Sequence, residues 1–362
     1  MQIRSITLTW VRVPLVEPFR ISSGAVAEKD AIVVRVESDG VTGWGESSPM
    51  AGSFYSSDTP ESCWRELCDT IVPAVLNRDV SADDELPGPH FASVGIETAL
   101  WDIQAQRRGV PLHRLLGGTR DSIESGLAVG LYDDTSQMLR TIEMHLAAGY
   151  KRVKIKIARG SDVELVRAVR GAFGDDLPLM VDANGDYTLE HIDIFRRLDE
   201  FNLMMFEQPL AGHLLEESAE LQRQVRTPVC LDESLENLPA AERAIALGSL
   251  RIANIKIQRV GGLRNALRMY ELCRAHNLGI WIGTMPELGI GQAQGAALSS
   301  LEGCTFPTDV EASARWFTDD IIDPWLDVDS GMIAMPKAPG LGYRIDSDKL
   351  ARYKIEQRTF AR

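Results

Sequence analysis

Apolar and polar positions along this chain change period near residue 120. Upstream, MQIRSITLTWVRVPL alternates as one strand, and DAIVVRVESDGVTGWGE reads as two more joined at the turn Ser38-Asp39-Gly40. An antiparallel meander is expected there. Val94, Ile96, Ala99, Leu100 and Ile103 then fall on one stripe of a helix over 93–108, so the first third reads as an α+β unit. From about Ile123, SGLAVGLY, YKRVKIKI, LPLMVDA, LMMFEQP, TPVCLDE, RIANIKI and LGIWIGT read as strands, and amphipathic helices such as 162–173 and 263–276 fill the gaps. Alternating β and α at short spacing predicts a parallel sheet of the α/β class. Seven strands are clear, and FPTDV at 306–310 is the expected eighth. The tail from about Thr318 is rich in Pro and Gly, carries strand-like GMIAM, and is expected to return to the first unit.

Five of the predicted strands close on a charge: Lys156, Asp182, Glu207, Asp232 and Lys256, spaced 26, 25, 25 and 24 residues apart. That spacing is one strand plus one helix. In a parallel barrel the C-terminal strand ends open on one rim, where such enzymes do their chemistry. A single carboxylate there more often caps the next helix; three in step point to a metal. Asp182, Glu207 and Asp232 make an all-oxygen set, which favours magnesium or manganese over zinc. Lys154 and Lys156 are two apart on a strand and share a face, interleaved with Val153, Ile155 and Ile157. Both lysines are expected inside the barrel, whereas Lys151 and Arg152 precede the buried stretch. Two ammonium groups beside a divalent cation disfavour protonation of at least one, bringing it toward the range of a base. Lys256, on the sixth strand, lies across the mouth from Lys156 on the second. A carboxylate substrate between two amines and a metal suits abstraction of the proton alpha to that carboxylate, with the metal stabilising the enediolate. Asn184 and Gln208 follow ligand positions and could orient carboxylates. None of the six histidines ends a strand, so a histidine base is unsupported.

Composition narrows this further. A net charge of −14 and pI near 5.0 over 362 residues repel nucleic acid, and an anionic substrate must find a local cation, which again favours a metal. There is no apolar run approaching the roughly 18 residues of a membrane helix and no basic-then-apolar leader, so a cytoplasmic protein with no membrane partner is expected. The five cysteines lack metal-type spacing and read as buried thiols.

KIK at 154–156, VDAN at 181–184, FEQP at 206–209, LDES at 231–234 and NIKIQRVGG at 254–262 together resemble the enolase superfamily, in its muconate lactonizing enzyme subgroup. The resemblance spans nearly the whole chain, since the meander and ALWDIQAQRRGVPLHRLLGG at 99–118 look like that family's capping domain. It implies a modified TIM barrel, (β/α)7β, with an α+β capping domain: capping domain 1–117, barrel 118–317, and 318–362 returning to the cap. It implies Asp182, Glu207 and Asp232 as ligands of Mg2+ (or Mn2+), Lys156 and Lys256 as the acid/base pair, and Lys154 as the first lysine of the K-x-K motif. Within the subgroup, VPLVEPFRISSG, MAGSFYSSDTP and GTMPELGIGQAQGAALSSL are most similar to the o-succinylbenzoate synthase and N-succinylamino acid racemase family. That likeness implies Phe19, Met50 and Tyr55 at the variable end of a small carboxylate substrate, joined by Thr284, Met285 and Glu287 of a strand-seven segment that departs from the family's Gly-Met-x-Glu. A homo-oligomer is also expected. Muconate cycloisomerisation and dipeptide epimerisation are the alternative reactions, although the D-x-D signature of dipeptide epimerases is not evident in TDVEAS. A catalytically silent binding protein is the remaining class, and it would be expected to have lost one of the five charges, all of which are present.

Overall fold

The computed structural model describes residues 1–21, 24–52 and 56–362. β1 (Ile3–Ile21), β2 (Gly24–Ser38) and β3 (Val41–Ser47) form the expected meander. The β2–β3 turn has both central residues left-handed, Asp39 at φ 50° and Gly40 at φ 80°, which matches the twist of a tight hairpin. Helix His90–Arg108 lies across this sheet. It packs so closely that a Cβ at Gly43 would sit 2.3 Å from the Ala99 carbonyl and one at Gly45 2.0 Å from that of Gly95. The two glycines of GWG are the contact surface. The chain end adds the fourth strand, Lys354–Ala361, antiparallel to β1, and Met332–Ala334 pairs with β4 (Ser122–Glu124).

The second unit is a seven-stranded parallel sheet in sequence order: β5 (Leu127–Val129), β6 (Val153–Lys156), β7 (Leu179–Asp182), β8 (Phe206–Glu207), β9 (Val229–Leu231), β10 (Ile252–Ile255) and β11 (Gly279–Ile282). The expected eighth strand is not regular. Pro307 has no N–H to donate, yet the segment bonds on both sides: Thr308 N to Glu124 O and Gly126 N to Thr308 O toward one edge, Thr305 N to Ile280 O and Asp309 N to Ile282 O toward the other. The barrel closes through it.

Alternation along the strands stacks the interior in layers. Met180, Met205, Cys230, Ile252 and Trp281 plug the floor. Lys154 and Asn254 lie one pleat higher, and Asp182, Glu207, Asp232 and Lys256 stand toward the rim. Arg152 departs from expectation. It is 1% exposed, not on a solvated edge, because it shares the inward parity of Lys154. Its guanidinium lies over the Trp281 ring at 5.0 Å, donates to Asp309 and the Pro307 carbonyl, and takes the space a side chain at Gly126 would need. Among the described residues no helix is long and apolar enough to cross a membrane.

The two units are joined by buried carboxylates of the first that cap helices of the second. Glu97 accepts from Leu263 N and Arg264 N (both 2.9 Å) at the start of helix Leu263–Ala275, and from the Trp101 indole. Burial pushes its carboxyl from 4.5 up to about 7, against those hydrogen bonds. A raised folded value means that the group's contribution to stability is fully present below its ordinary value and is lost as pH rises through about 7. Glu97→Gln cannot titrate and is expected to flatten that part of the pH dependence of Tm, while lowering stability at pH 5 by about 1 kcal/mol through the weakened cap. Thermal melts across this pH range check it; an unchanged slope counts against the assignment.

Candidate active site

Three parallel registers bring the predicted residues together. Lys156 pairs with Asp182 and Asp182 with Glu207, while Glu207 pairs with Cys230, which puts Asp232, two residues on, over the same face. Lys256 follows β10 directly. All five are at most 7% exposed. Burying so many charges is tolerable only if they pair, and they do. Lys156 Nζ is 2.5 Å from Asp182 Oδ2 and donates to Asn184 Oδ1 at 2.8 Å. Lys154 Nζ bonds to Asp309 and lies 3.3 Å from Glu207 Oε2 and 3.8 Å from Asp182 Oδ2. Lys256 Nζ is 2.9 Å from Asp232 Oδ2, whose other oxygen holds Arg259.

These contacts set the electrostatics. Burial works to lower the Lys154 ammonium, but Asp309, Glu207 and Asp182 outweigh it and hold Lys154 above its ordinary value. Lys154 is therefore not brought toward the range of a base. Glu207 is pushed up to about 8, by burial first and then by the Asp182 charge. Asp182 and Asp232 go down: burial would raise them, but Lys156 and Lys154 overcome it at the first, Arg259 and Lys256 at the second.

Whether a metal fits can be asked of the donors. Among the described residues no three carboxylate, imidazole or thiolate groups stand close enough to hold one ion, because each carboxylate is drawn onto a cation. The chemistry still suits a hard divalent ion. Three oxygen donors rise from neighbouring strand ends, and the buried Glu207 Oε2 and Asp232 Oδ2 have no hydrogen-bond partner among the described residues, only ion pairs.

Comparison with known proteins agrees with this architecture. Residues 3–117 match the family model described as mandelate racemase / muconate lactonizing enzyme, N-terminal domain, and residues 137–349 match the one described as enolase C-terminal domain-like. The chain belongs to the enolase superfamily. It is 40% identical over 370 residues to an o-succinylbenzoate synthase of Bacillus subtilis (strain 168), covering 99% of each chain. It is also 40% identical over 349 residues to an N-succinylamino acid racemase of Amycolatopsis sp, covering 94% of this chain and 95% of that one. The crystal structure of an enolase superfamily member from Listeria innocua aligns at a TM-score of 0.95 with 31% identity, covering 100% of this chain and 99% of that one. The protein is thus an enzyme of this superfamily.

In this superfamily member a pocket opens at the rim. Lys154, Lys156 and Lys256 line it, with Phe19, Met50, Thr284 and Met285 among its walls. A larger cavity of about 770 Å³ lies outside Phe19 and Trp316, away from the lysines. Tyr55 lies outside the described residues. Glu287 departs from its expected place: it is absent from the pocket lining, and its carboxylate accepts from Met285 N at 2.9 Å because the tight strand-seven turn folds it back. Gln208 also differs, since it holds backbone instead of a carboxylate, accepting from Asp232 N and Ser234 N and donating to Leu210 O. Asn184 orients Lys156 as well as bonding Glu233.

Four polar residues escaped the sequence reading. Asn254 donates to Glu207 Oε1 at 2.7 Å, and its position two before Lys256 on one strand was a usable signal. Arg259, three after Lys256 at the start of a helical turn, was another. Asp309 and Arg152 pair across the barrel closure, which no local pattern encodes.

Proposed function

We propose that this enzyme is a magnesium-dependent o-succinylbenzoate synthase that also racemises N-succinylamino acids. The observation that carries the reading is the pair of buried lysines at opposite points of one pocket: β6 and β10 are second and sixth around an eight-membered barrel, so a substrate carbon held between them meets an amine on either face. Full-length relatives named for these two activities support it.

Asp182, Glu207 and Asp232 would hold the cation, which when bound supplies positive charge to the substrate carboxylate as negative charge develops there. The chain's own residues do the rest. In the dehydration, Lys156 Nζ takes the proton from the carbon bearing the carboxylate. The C–H electron pair becomes the new C=C bond, and the hydroxyl on the next carbon leaves as water with the proton that the Lys156 ammonium returns to it. Lys256, on the other face, stabilises the charge electrostatically. In racemisation one lysine removes the α-proton and the other delivers one to the opposite face. Asn184 fixes the Lys156 amine, and Asn254 fixes Glu207.

A dipeptide substrate is less well served, because its ammonium needs a free carboxylate near the closure. Asp309 is committed to Arg152 and Lys154, and Glu311 to Ala128 N and Arg315. Purified protein with magnesium is expected to convert 2-succinyl-6-hydroxy-2,4-cyclohexadiene-1-carboxylate to o-succinylbenzoate and to racemise N-succinylamino acids, both activities stopping on chelation. Turnover of muconate or a dipeptide with neither succinyl substrate accepted would overturn the proposal.

A further inference from the structure

Behind the pocket, on the seam between the two units, lies a second buried charge cluster that the proposed chemistry does not use. Lys29 of β2 is 4% exposed, Glu46 of β3 is 0% and Glu287 is 4%. The Lys29 ammonium donates to two carbonyls, Ser48 on the cap side and Met285 on the barrel side, both at 3.2 Å. Glu46 reaches across to accept from Leu288 N and Gly291 N, both at 2.8 Å, at the start of helix Gly289–Ser299, and from Ser48 Oγ. Gln258, two residues after Lys256, ties the same cap strand from the other side by accepting from Ser48 N and donating to the Glu46 carbonyl. Glu287 closes the turn by accepting from Met285 N.

What these groups hold is the turn after strand seven. Met285 is gripped at its N–H by Glu287 and at its carbonyl by Lys29. Thr284, Met285 and Pro286 all face the pocket, and Met50 stands two residues beyond Ser48. The cluster is costly for folding: burial lowers the Lys29 ammonium and raises both Glu46 and Glu287. Charges retained at such a cost beside a pocket are commonly there for the site.

We propose that Lys29, Glu46 and Glu287 are positioning residues that lock the Thr284–Glu287 turn and the Ser48–Met50 strand end together across the domain seam, and so set the shape of the pocket wall that receives the substrate. They touch no reacting atom; they act through Met285 and Met50. This deepens the proposed function and rests on it only for its kinetic test.

The test is Lys29→Met in the full-length protein, with hydrogen–deuterium exchange as the readout that needs no substrate. Peptides spanning 283–291 are expected to exchange about tenfold faster than in the wild type, while those of β6 to β10 stay unchanged. With an N-succinylamino acid, KM is expected to rise about tenfold and kcat to stay within about twofold, since the wall moves and the lysines do not. Where Lys29→Met fails to fold, Glu287→Gln keeps the volume and the acceptor for Met285 N. The double variant Lys29→Met/Glu287→Gln, which removes opposed charges together and leaves Glu46 satisfied by its helix cap, is expected to recover part of the protection. Unchanged exchange at 283–291, a loss in kcat at constant KM, or strictly additive losses in the double variant would overturn the assignment. A wild type inactive on every succinyl substrate would sink the proposed function alone, because the exchange arm judges the lock by itself.

Discussion

Lys156→Ala is expected to lower dehydration by about 10³-fold and to erase exchange of the α-hydrogen with solvent deuterium from one enantiomer of an N-succinylamino acid, leaving the other enantiomer's exchange in place. The asymmetry is the informative part. Lys156 and Lys256 stand at opposite points of the barrel, and each is anchored to its own carboxylate, Asp182 and Asp232. Deleting one amine therefore leaves the other with its partner, its burial and its access to the pocket. Proton NMR in deuterated buffer, run separately on each enantiomer, reads the two faces independently. Full exchange of both enantiomers by the variant would remove Lys156 from the mechanism. Loss from both would mean that the substitution disturbed the whole site, for instance by stranding the Asp182 charge in the interior; Lys156→Arg, which keeps a cation there but is a poor base, separates that case.

Glu207→Gln is expected to abolish turnover, by about 10³-fold or more, while making the metal-free protein more stable. Glu207 is wholly buried, and its charge is disfavoured by desolvation and by Asp182 beside it. Glutamine keeps the carbonyl oxygen that Asn254 binds and removes that charge. Lys154 retains Asp309 as a partner, so no cation is stranded. A gain of about 1 kcal/mol would raise Tm by about 1–2 °C in a chain of 362 residues. Magnesium should reverse the ranking: a ligand that binds only the folded state raises its Tm with concentration, so the wild type should climb on titration with magnesium and the variant should not. Thermal melts with chelator and with rising magnesium give both numbers. A variant that magnesium stabilises as much as the wild type is incompatible with Glu207 as a ligand.

Both predictions concern residues that could be read from the chain. Their legibility has a local cause. A β-strand alternates sides every residue, and a βα unit of nearly constant length repeats, so Lys156, Asp182, Glu207, Asp232 and Lys256 advertise one rim through spacing alone. The meander, the parallel sheet and the inward face of Lys154 follow from the same short-range rules. Where a reading slipped, the deciding contact came from far along the chain. Arg152 looked like a solvated edge residue because Asp309, its counter-charge, lies 157 residues away on the irregular closing segment. Glu287 was expected at the pocket from the likeness of its strand-seven segment alone, whereas Lys29 and Glu46 arrive from the first unit to pack against its turn.

By itself, then, the sequence determined the two architectural units, the parallel strand order and the identity of the five rim charges, because periodicity and strand ends are properties of the backbone and its nearest neighbours. Only the tertiary structure decided which cation each carboxylate holds, that Lys154 is kept charged by Asp309, and that the cap is keyed to the barrel through Glu46 and Glu97. Those outcomes depend on which buried charges meet after the barrel closes and the cap docks, and in a desolvated interior that pairing sets both the protonation and the position of every group at the site.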